Sequence, residues 1–343
     1  MKFYKLIFVY GIFFFLFYPS QGFSFQSKTE HTLSGKTMGT FYTIKFLADR
    51  NEDLDLWQTR VDMRLREINK TFSMFDPDSR LSLFNRHKIN TDMKVSSDFY
   101  SVLLTAQKLY EMTHGAWDGT VKPLVDLWGF GTRKKEDSIP EPSEITLALS
   151  KTGFFHIRFK ENHTLFKDAD VTLDLGSIAK GYGVDAVAAL FKSLGIRDVL
   201  IEIGGELYAA GTNKKGEPWS VGISRPDKAY SKQDLYKIVR LSNQAIATSG
   251  NYRNFFEING KSYSHIIDPK TGFPVNNQII SASVISKDCT FADGLATALM
   301  VMDAEEGLGL VNSLEGTECL ILKENGGAIE SHMSKNFQKF LSN

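Results

Sequence analysis

The order of apolar and polar residues predicts an α+β fold, because strands and helices come in runs rather than in strict alternation. The chain has 343 residues, of which 42% are hydrophobic and 23% charged, as is typical of a globular protein. No internal repeat or low-complexity linker divides it. We therefore expect a single compact domain with mixed or antiparallel sheets and packed helices.

The first 24 residues are typical of a secretion signal. Two lysines precede an uncharged apolar run, Leu6–Phe17, and small residues follow at Ser20 and Gly22. The run is about a dozen residues long, whereas a membrane-spanning helix needs about 20. We expect a signal peptide over 1–24 and the folded domain over 27–343; an uncleaved N-terminal anchor is the alternative.

Charge and cysteine content exclude several classes of protein. Forty basic residues balance forty acidic ones, so no global charge favours binding to nucleic acid. Cys289 and Cys319 are too few for a zinc site, and either two buried thiols or one disulfide fits an exported chain. P-loop, dinucleotide-binding, zincin and nucleophile-elbow motifs are absent from the sequence.

The N-terminal third is expected to form a strand and two helices. The strand covers Leu33–Phe46 and carries a turn at Met38–Thr40. Apolar residues then recur at steps of three and four, which predicts an amphipathic helix. They are Leu54, Trp57, Val61, Leu65, Ile68 and Phe72. Phe75–Asn85 is polar and turn-rich, and a second helix is expected over Ser97–Thr113.

The middle of the chain is expected to be rich in loops. Trp117–Gly131 is dense in aromatic residues and glycine, and Arg133–Ser143 is charged and contains proline. A short helix is expected over Ile145–Ser150. Strands are expected over Phe154–Phe159, Thr164–Phe166 and Val171–Leu173.

The C-terminal half begins with a helix over Ser177–Leu194, whose few charges predict burial on several sides. Strands are expected over Val199–Ile203, Leu207–Gly211, Ser220–Ile223, Ile238–Leu241, Ala245–Thr248, Phe255–Ile258, His265–Ile267 and Ile280–Ile285. Two helices, over Thr290–Met302 and Ala304–Ser313, and a closing strand over Cys319–Leu322 complete the chain.

The stretch Asp174–Gly183, with the sequence D-L-G-S-I-A-K-G-Y-G, contains a glycine turn into a helix and one lysine. Free N–H groups and the helix dipole at such a turn attract anions, phosphate above all. Lys180 opposes the dipole from the first turn, so a ligand contact explains it better than helix support. The alternative is an ordinary capped helix with a surface lysine.

A carboxylate and a hydroxyl occur four residues apart, at Asp293 and Thr297. On a helix this spacing places both oxygens on one face, which is a partial ligand shell for Mg²⁺. The alternative is an acidic residue near a helix N-terminus and a threonine that faces the core.

Three further polar positions are candidates. His265 with Asp268, in H-I-I-D-P-K-T-G, could form a general base and its carboxylate, or a strand-end histidine followed by a turn. Ser249 lies in a turn able to offer N–H groups to an anion. Glu206 joins two strands and could bind a ribose hydroxyl or face solvent.

Eight segments in this order resemble the ApbE family, the FAD:protein FMN transferases, over essentially the whole mature chain. They are M-G-T at Met38–Thr40, F-S-M-F-D-P-D-S-R-L-S-L-F-N at Phe72–Asn85, D-G-T-V-K-P-L at Asp118–Leu124, D-L-G-S-I-A-K-G-Y at Asp174–Tyr182, I-G-G-E-L at Ile203–Leu207, T-S-G-N-Y at Thr248–Tyr252, H-I-I-D-P-K-T-G at His265–Gly272 and A-D-G-L-A-T-A at Ala292–Ala298. Many members have alanine where this chain has Gly294, which costs up to about 1 kcal/mol in a helix.

The resemblance implies an ApbE-like (T-fold-like) α+β enzyme of the bacterial cell envelope. Such an enzyme takes FAD, joins FMN through its phosphate to a threonine or serine of a target flavoprotein, and releases AMP. Targets are membrane-bound or exported redox subunits, so we expect export to the periplasm or to the periplasmic face of the inner membrane. An FAD pyrophosphatase, a non-catalytic flavin-binding protein and a structural envelope protein are the alternatives.

The resemblance also implies roles for individual residues. Mg²⁺, or Mn²⁺, would bind Asp293, Thr297 and the backbone carbonyl of Ala179. Lys180 and the N–H groups around Gly176 and Ser177 would hold the phosphates. His265 would accept the proton of the incoming hydroxyl, with Asp268 orienting it or shaping the turn. The expected flavin contacts are Met38, Thr40, Asp118, Thr120, Glu206 and Ser249.

Overall fold

The computed structural model describes residues 28–131, 138–226, 235–251, 255–258 and 260–342. The expected signal peptide, part of the charged loop after Arg133 and Tyr252 lie outside these residues. No helix in the described ranges combines the length and apolar character needed to cross a bilayer.

The centre of the fold is an eight-stranded sheet in which every neighbouring pair is antiparallel. Its strands, in spatial order, are β1 (Thr29–Thr37), β2 (Thr40–Ala48), β6 (Val199–Ile203), β7 (Glu206–Ala210), β10 (Gln244–Gly250), β13 (Ile279–Ser286), β14 (Glu318–Asn325) and β15 (Ala328–Met333). These strands follow one another as hairpins except at four insertions: two small two-stranded sheets, one pair of helices, and one longer segment of helices with a three-stranded sheet. The α+β organisation follows from this order.

Three small antiparallel sheets surround the large one. They are formed by β3 (Asp92–Lys94) with β5 (Thr164–Lys167) and β4 (Ile157–Lys160), by β8 (Trp219–Ser224) with β9 (Leu235–Leu241), and by β11 (Phe255–Ile258) with β12 (Lys261–Ser264). The β8–β9 hairpin covers one face of the large sheet through a cluster that includes Trp219, Val221, Val239 and Phe337.

The helices of the described ranges are α1 (Leu54–Phe72), α2 (Arg80–Arg86), α3 (Ser97–Met112), α4 (Lys122–Leu127), α5 (Pro142–Leu149), α6 (Ala179–Ser193), α7 (Cys289–Val301) and α8 (Ala304–Asn312). Of these, α1, α6, α7 and α8 pack against the strands of the large sheet, whereas α4 and α5 pack against each other in a separate cluster. The apolar stripe of α1 is buried as expected except for Leu54, which is exposed, and α7 is buried on almost all sides. Cys289 and Cys319 are both buried and unbonded.

Two segments expected as loops contain helices. In the polar stretch after Phe75, the Ser79 side chain caps α2 by accepting from Ser82 N–H at 3.0 Å, and Leu81 and Phe84 are buried. In the aromatic loop after Trp117, the helix α4 has Pro123 in its first turn, where proline's missing N–H costs nothing. Turn residues at these places therefore start helices rather than prevent them.

Two expected strands are not strands. Val171–Leu173 pairs with no strand in the described ranges; the Asn85 side chain instead bonds both the N–H (2.7 Å) and the carbonyl (2.9 Å) of Leu173. His265–Ile267 follows β12 instead of forming a strand, and Ile267 makes an isolated bridge with Pro274. The short strand β3 and the closing strand β15 were not expected from the sequence.

The helices α6 and α7 approach each other closely at Gly181. A Cβ placed on Gly181 would lie 2.3 Å from the carbonyl oxygen of Cys289 and 2.8 Å from Cβ of Asp293. Backbone atoms cannot move aside as a flexible side chain would. Glycine at this position is therefore a condition of the α6–α7 contact.

We expect Gly181→Ala to lower the free energy of unfolding by roughly 1–3 kcal/mol, because the added methyl group overpacks the contact between α6 and α7. Gly309, on the exposed side of α8, is the matched control: no atom lies within 4 Å of the position that an added methyl group would take. Gly309→Ala should stabilise by about 0.5–1 kcal/mol through helix propensity. Urea denaturation measures both, and equal effects of the two substitutions would contradict the close-packing argument.

Candidate functional site

A cavity of about 400 Å³ opens where the start of α6, the middle of α7, the β6–β7 turn and the end of β10 meet. This volume lies within the range of small-molecule sites. Its polar lining includes Asp118, Asp174, Ser177, Lys180, Glu206, Thr248, Ser249, His265, Asp293 and Thr297. Eight of the residues expected at a functional site therefore share one cavity.

Reciprocal caps join the two helices beside this cavity. Asp185, on α6, accepts from the N–H groups of Cys289 and Thr290 at the start of α7, both at 2.8 Å. Asp293, on α7, accepts from the N–H of Gly181 near the start of α6 at 3.0 Å. Burial raises the pKa of Asp185 to about 6, although its hydrogen-bond donors act in the opposite direction.

A cluster of three charges lies at the centre of the cavity wall. The Lys180 ammonium is 2.7 Å from Glu206 Oε1 and 3.8 Å from Asp293 Oδ1. Burial alone would lower the pKa of Lys180, but Asp293 and Glu206 outweigh it and raise that pKa above its ordinary value. Lys180 is therefore a permanent cation.

Glu206 is the least satisfied member of this cluster. Its side chain is 5% exposed, and burial raises its pKa to about 7 even though Lys180 lowers it. Its second oxygen, Oε2, is buried and has no hydrogen-bond partner among the described residues. A buried carboxylate oxygen without a partner is costly, which favours an additional donor or cation at this place.

The residues expected to hold a metal fit Mg²⁺ by donor type. Asp293 and Thr297 both line the cavity, and Thr297 is half-buried while the rest of α7 from Cys289 to Met300 is buried. The Thr297 and Ser249 hydroxyls are 2.9 Å apart. Within the described ranges, no three His, Cys, Asp or Glu side chains group as a metal site. A hard cation here would therefore need hydroxyl, carbonyl or phosphate oxygens as well.

The helix start that was expected to cradle an anion is already bonded within the chain. The N–H of Gly176 donates to Asp174 Oδ1 at 2.8 Å, and the N–H groups of Ile178 and Ala179 both donate to Leu175 O. Together with the Asp293 cap, these bonds occupy the N–H groups of Gly176, Ile178, Ala179 and Gly181. The expected phosphate contact of the N–H groups around Gly176 and Ser177 stays a prediction, and Lys180 is the one lysine or arginine among the described residues that line the cavity.

His265 follows β12 directly and lines the cavity together with Ile266, Ile267 and Pro269. Asp268 does not line it. The carboxylate of Asp268 accepts from Lys270 N–H and from the Thr271 hydroxyl, both at 2.9 Å. Asp268 was expected either to orient His265 or to shape the turn, and these bonds are typical of the second role.

Several expected flavin contacts lie outside the cavity wall. The sulfur of Met38 packs against α6 near Gly183, and Thr40 packs against Gly204. Thr120 is fully buried, and its hydroxyl donates to Asp118 at 2.6 Å while accepting from Gly153 N–H. In this structure Met38, Thr40 and Thr120 therefore make contacts within the fold and do not line the cavity.

Asp118 and Ser177 line the cavity and also make hydrogen bonds within the fold. Asp118 lines the cavity but is buried, and burial raises its pKa although Thr120 and the N–H of Phe154 lower it. Ser177 lines the cavity, and its hydroxyl accepts from the indole N–H of Trp117 at 3.1 Å. Ala179 is buried at the first position of α6 and does not line the cavity.

The sequence reasoning missed an apolar wall and one carboxylate. The apolar wall consists of Met74, Trp117, Val121, Val125 and Phe130. Most of it comes from the Trp117–Gly131 segment, whose aromatic density was the available signal. The missed carboxylate is that of Asp174, which lines the cavity; burial raises its pKa above the ordinary value.

The ApbE family model matches residues 38–321. A Vibrio cholerae protein named FAD:protein FMN transferase is 42% identical over 312 residues, covering 90% of this chain and 92% of its own. A Haemophilus influenzae protein of the same name is 37% identical over 310 residues, covering 88% and 89%.

Two solved structures are similar to the whole domain. The flavin transferase ApbE from Vibrio cholerae is 39% identical with a TM-score of 0.83, covering 92% of this chain and 100% of that one. The apo form of the Pseudomonas stutzeri flavinyl transferase ApbE is 32% identical with a TM-score of 0.83, covering 91% and 97%. These structures confirm the expected α+β fold.

We expect Lys180→Met to destabilise the protein by roughly 1–3 kcal/mol, because it leaves the carboxylates of Glu206 and Asp293 without their shared cation. The loss should be greater at about pH 9 than at about pH 6, because Glu206, with its pKa raised to about 7, is then ionised. Adding Glu206→Gln should restore part of the stability. Urea denaturation at both pH values measures these effects.

Lys160→Met is the matched control for this substitution. Lys160, on β4, pairs with Asp92 at 2.6 Å; the two side chains are 46% and 54% exposed, and neither residue lines the cavity. An exposed pair of this kind contributes about 0.2–1 kcal/mol. An equal loss for the two lysine variants, or no rescue by Glu206→Gln, would contradict the charge-cluster argument.

Proposed function

This chain belongs to the ApbE family, and we propose that it uses this cavity to transfer FMN from FAD to a threonine or serine hydroxyl of a target flavoprotein. It is an enzyme, a flavin transferase. In the proposed reaction the hydroxyl oxygen forms a bond to the FMN phosphorus, the bond to the AMP oxygen breaks, and AMP leaves. The observation that carries the proposal is that a permanent cation, a carboxylate–hydroxyl pair and a histidine line the same cavity.

The phosphates are proposed to bind at the charge cluster. Asp293, Thr297 and the carbonyl of Ala179 would hold Mg²⁺, with Mn²⁺ as the alternative, and the metal would offset the negative charge of the pyrophosphate and of the leaving AMP. Lys180 supplies a positive charge that does not depend on pH in the physiological range, because its pKa is raised. The unpartnered oxygen of Glu206 supports the need for further positive charge.

The ring system of the flavin is proposed to lie against three residues of the apolar wall, Trp117, Val121 and Val125. These side chains provide apolar surface in the lining of the cavity. Burying an aromatic ligand against such side chains favours binding through the area removed from water. It also excludes water from the phosphorus, which favours transfer over hydrolysis.

His265 is proposed to accept the proton of the incoming hydroxyl. It lines the same cavity as Asp293 and Thr297 of α7, and a positioned general base typically contributes about 10²–10⁴-fold to a rate. Asp268 holds the turn that follows His265 through its bonds to Lys270 and Thr271. The target would therefore present its hydroxyl from the side of the β11–β12 hairpin.

The transfer can be tested with the purified chain, FAD, Mg²⁺ and a peptide that carries the acceptor threonine of an exported flavoprotein. We expect the peptide to gain one FMN and AMP to appear only when peptide and Mg²⁺ are both present, as followed by mass spectrometry and chromatography. His265→Ala should lower the rate at least about 10²-fold. Thr297→Val removes a proposed metal ligand and should raise the Mg²⁺ concentration needed for a half-maximal rate.

Matched controls separate chemistry from folding. His156→Ala removes another half-buried histidine, paired with Asp168 outside the cavity, and should leave the rate unchanged. Equal AMP release without peptide would instead indicate an FAD pyrophosphatase. Bound FAD with neither product would contradict both catalytic functions and indicate a flavin-binding protein.

We also propose that the chain is exported to the periplasm, where it acts on membrane-associated flavoproteins at the inner membrane. The support is the charged start and the apolar run Leu6–Phe17, which is short for a spanning helix. In a producing bacterium, we expect the periplasmic fraction to contain a chain that has lost about 24 residues, as measured by intact mass. A full-length mass in the membrane fraction would indicate an uncleaved anchor, and one in the cytoplasm would contradict export.

A further inference from the structure

Four aromatic side chains form a stack beside the cavity. Trp128 stacks on Tyr263 with ring centres 5.7 Å apart, Tyr263 on Phe256 at 5.3 Å, and Phe256 on Phe130 at 5.3 Å, with interplanar angles of 25°, 19° and 24°. Trp128 and Phe130 come from the end of α4 and the residues after it, whereas Phe256 and Tyr263 come from the β11–β12 hairpin. The aromatic stack therefore joins two segments that are distant in sequence.

The aromatic stack is anchored at the segment that carries His265. Trp128 is 2% exposed, and its indole N–H donates to the carbonyl of Gly272 at 2.8 Å. Gly272 in turn donates its N–H to the carbonyl of Asp268 at 2.8 Å. Tyr263 lies two residues before His265. The stack thus holds the chain on both sides of the histidine.

Phe130 connects the aromatic stack to the imidazole of His265. The rings of Phe130 and His265 have centres 6.3 Å apart and planes at 68°, an edge-to-face arrangement. Both residues line the cavity. The last ring of the stack therefore faces the side chain proposed to accept the proton.

Support is needed because His265 follows a weak element. Among the described strands, β11 and β12 pair only with each other and not with the eight-stranded sheet. An isolated two-stranded hairpin is marginally stable in water. A displacement of about 1 Å at a reacting group can cost about 10²-fold in rate. A base on this hairpin needs contacts from a more rigid part of the fold.

We propose that Phe130 is a positioning residue for the transfer reaction, and that the aromatic stack fixes the His265 imidazole in the cavity through it. This inference rests on the proposed role of His265 as the general base. Phe130 has no chemistry of its own in the reaction. It acts through the orientation of the imidazole.

The test compares Phe130→Ala, Phe130→Leu and Phe130→Tyr in the full-length chain. We expect the alanine and leucine variants to lower kcat for peptide flavinylation about 10–100-fold, with FAD affinity and peptide KM within about twofold of the original. Tyrosine keeps a ring at this position and should restore kcat. Leucine keeps apolar volume, so its loss of activity would assign the effect to the ring.

Phe155→Ala is the matched control. Phe155 is 64% exposed and contacts a different histidine, His156, with ring centres 4.2 Å apart, and neither residue lines the cavity. We expect no change in kcat, FAD affinity or KM. A thermal melt of each variant verifies that it is folded.

A double-mutant cycle with His265→Ala separates positioning from other roles. If Phe130 acts through the imidazole, Phe130→Ala should have no further effect once His265 is removed. An equal loss in both backgrounds, or weaker FAD binding, would make Phe130 a flavin contact and overturn the inference. If His265→Ala is inactive while Phe130→Ala keeps full activity, the positioning role of Phe130 is contradicted and the role of His265 as the base is not. If His265→Ala keeps full activity, both roles are contradicted.

Discussion

The close contact between α6 and α7 is the constraint on which the site depends. Asp185 satisfies the N–H groups at the start of α7, and Asp293 satisfies one near the start of α6. Because the helices touch at Gly181, neither cap can be lost without leaving buried donors unsatisfied in a packed interface. The same contact places Asp293, Thr297 and Lys180 around one cavity, so the fold and the site share their central interaction.

The charged groups of this site are side chains more than backbone N–H groups. Asp174, Leu175 and Asp293 accept from four N–H groups around the start of α6, which leaves fewer of them free to bind an anion. Lys180 is one cation facing two carboxylates, so the cluster carries a net charge of −1 when Glu206 is ionised. A diphosphate substrate would add more negative charge. This excess of negative charge is an electrostatic reason for the divalent cation that we propose at this wall.

The elements with strong periodicity could be predicted from the sequence, and those set by tertiary contacts could not. The helix over 54–72 is encoded by its own apolar stripe, and its predicted bounds agree with the structure. The segment Val171–Leu173 has the composition of a strand, but Leu173 bonds to one side chain 88 residues away, Asn85. No local pattern indicates such a partner.

The same distinction applies to the site and to the His265 segment. Asp293 and Thr297 lie one helical turn apart, so their common face followed from spacing, whereas the pairing of Lys180 with Glu206 depends on how α6 meets the β6–β7 turn. The aromatic residues between Trp117 and Gly131 were visible as a cluster, but their partners on β11 and β12 were not. The proposed base, His265, directly follows a marginal hairpin, where a protein substrate could reach it, so contacts from elsewhere must fix the imidazole. The ring contact between Phe130 and His265 is proposed to meet both demands, because it would restrain the imidazole without tying the hairpin into the central sheet.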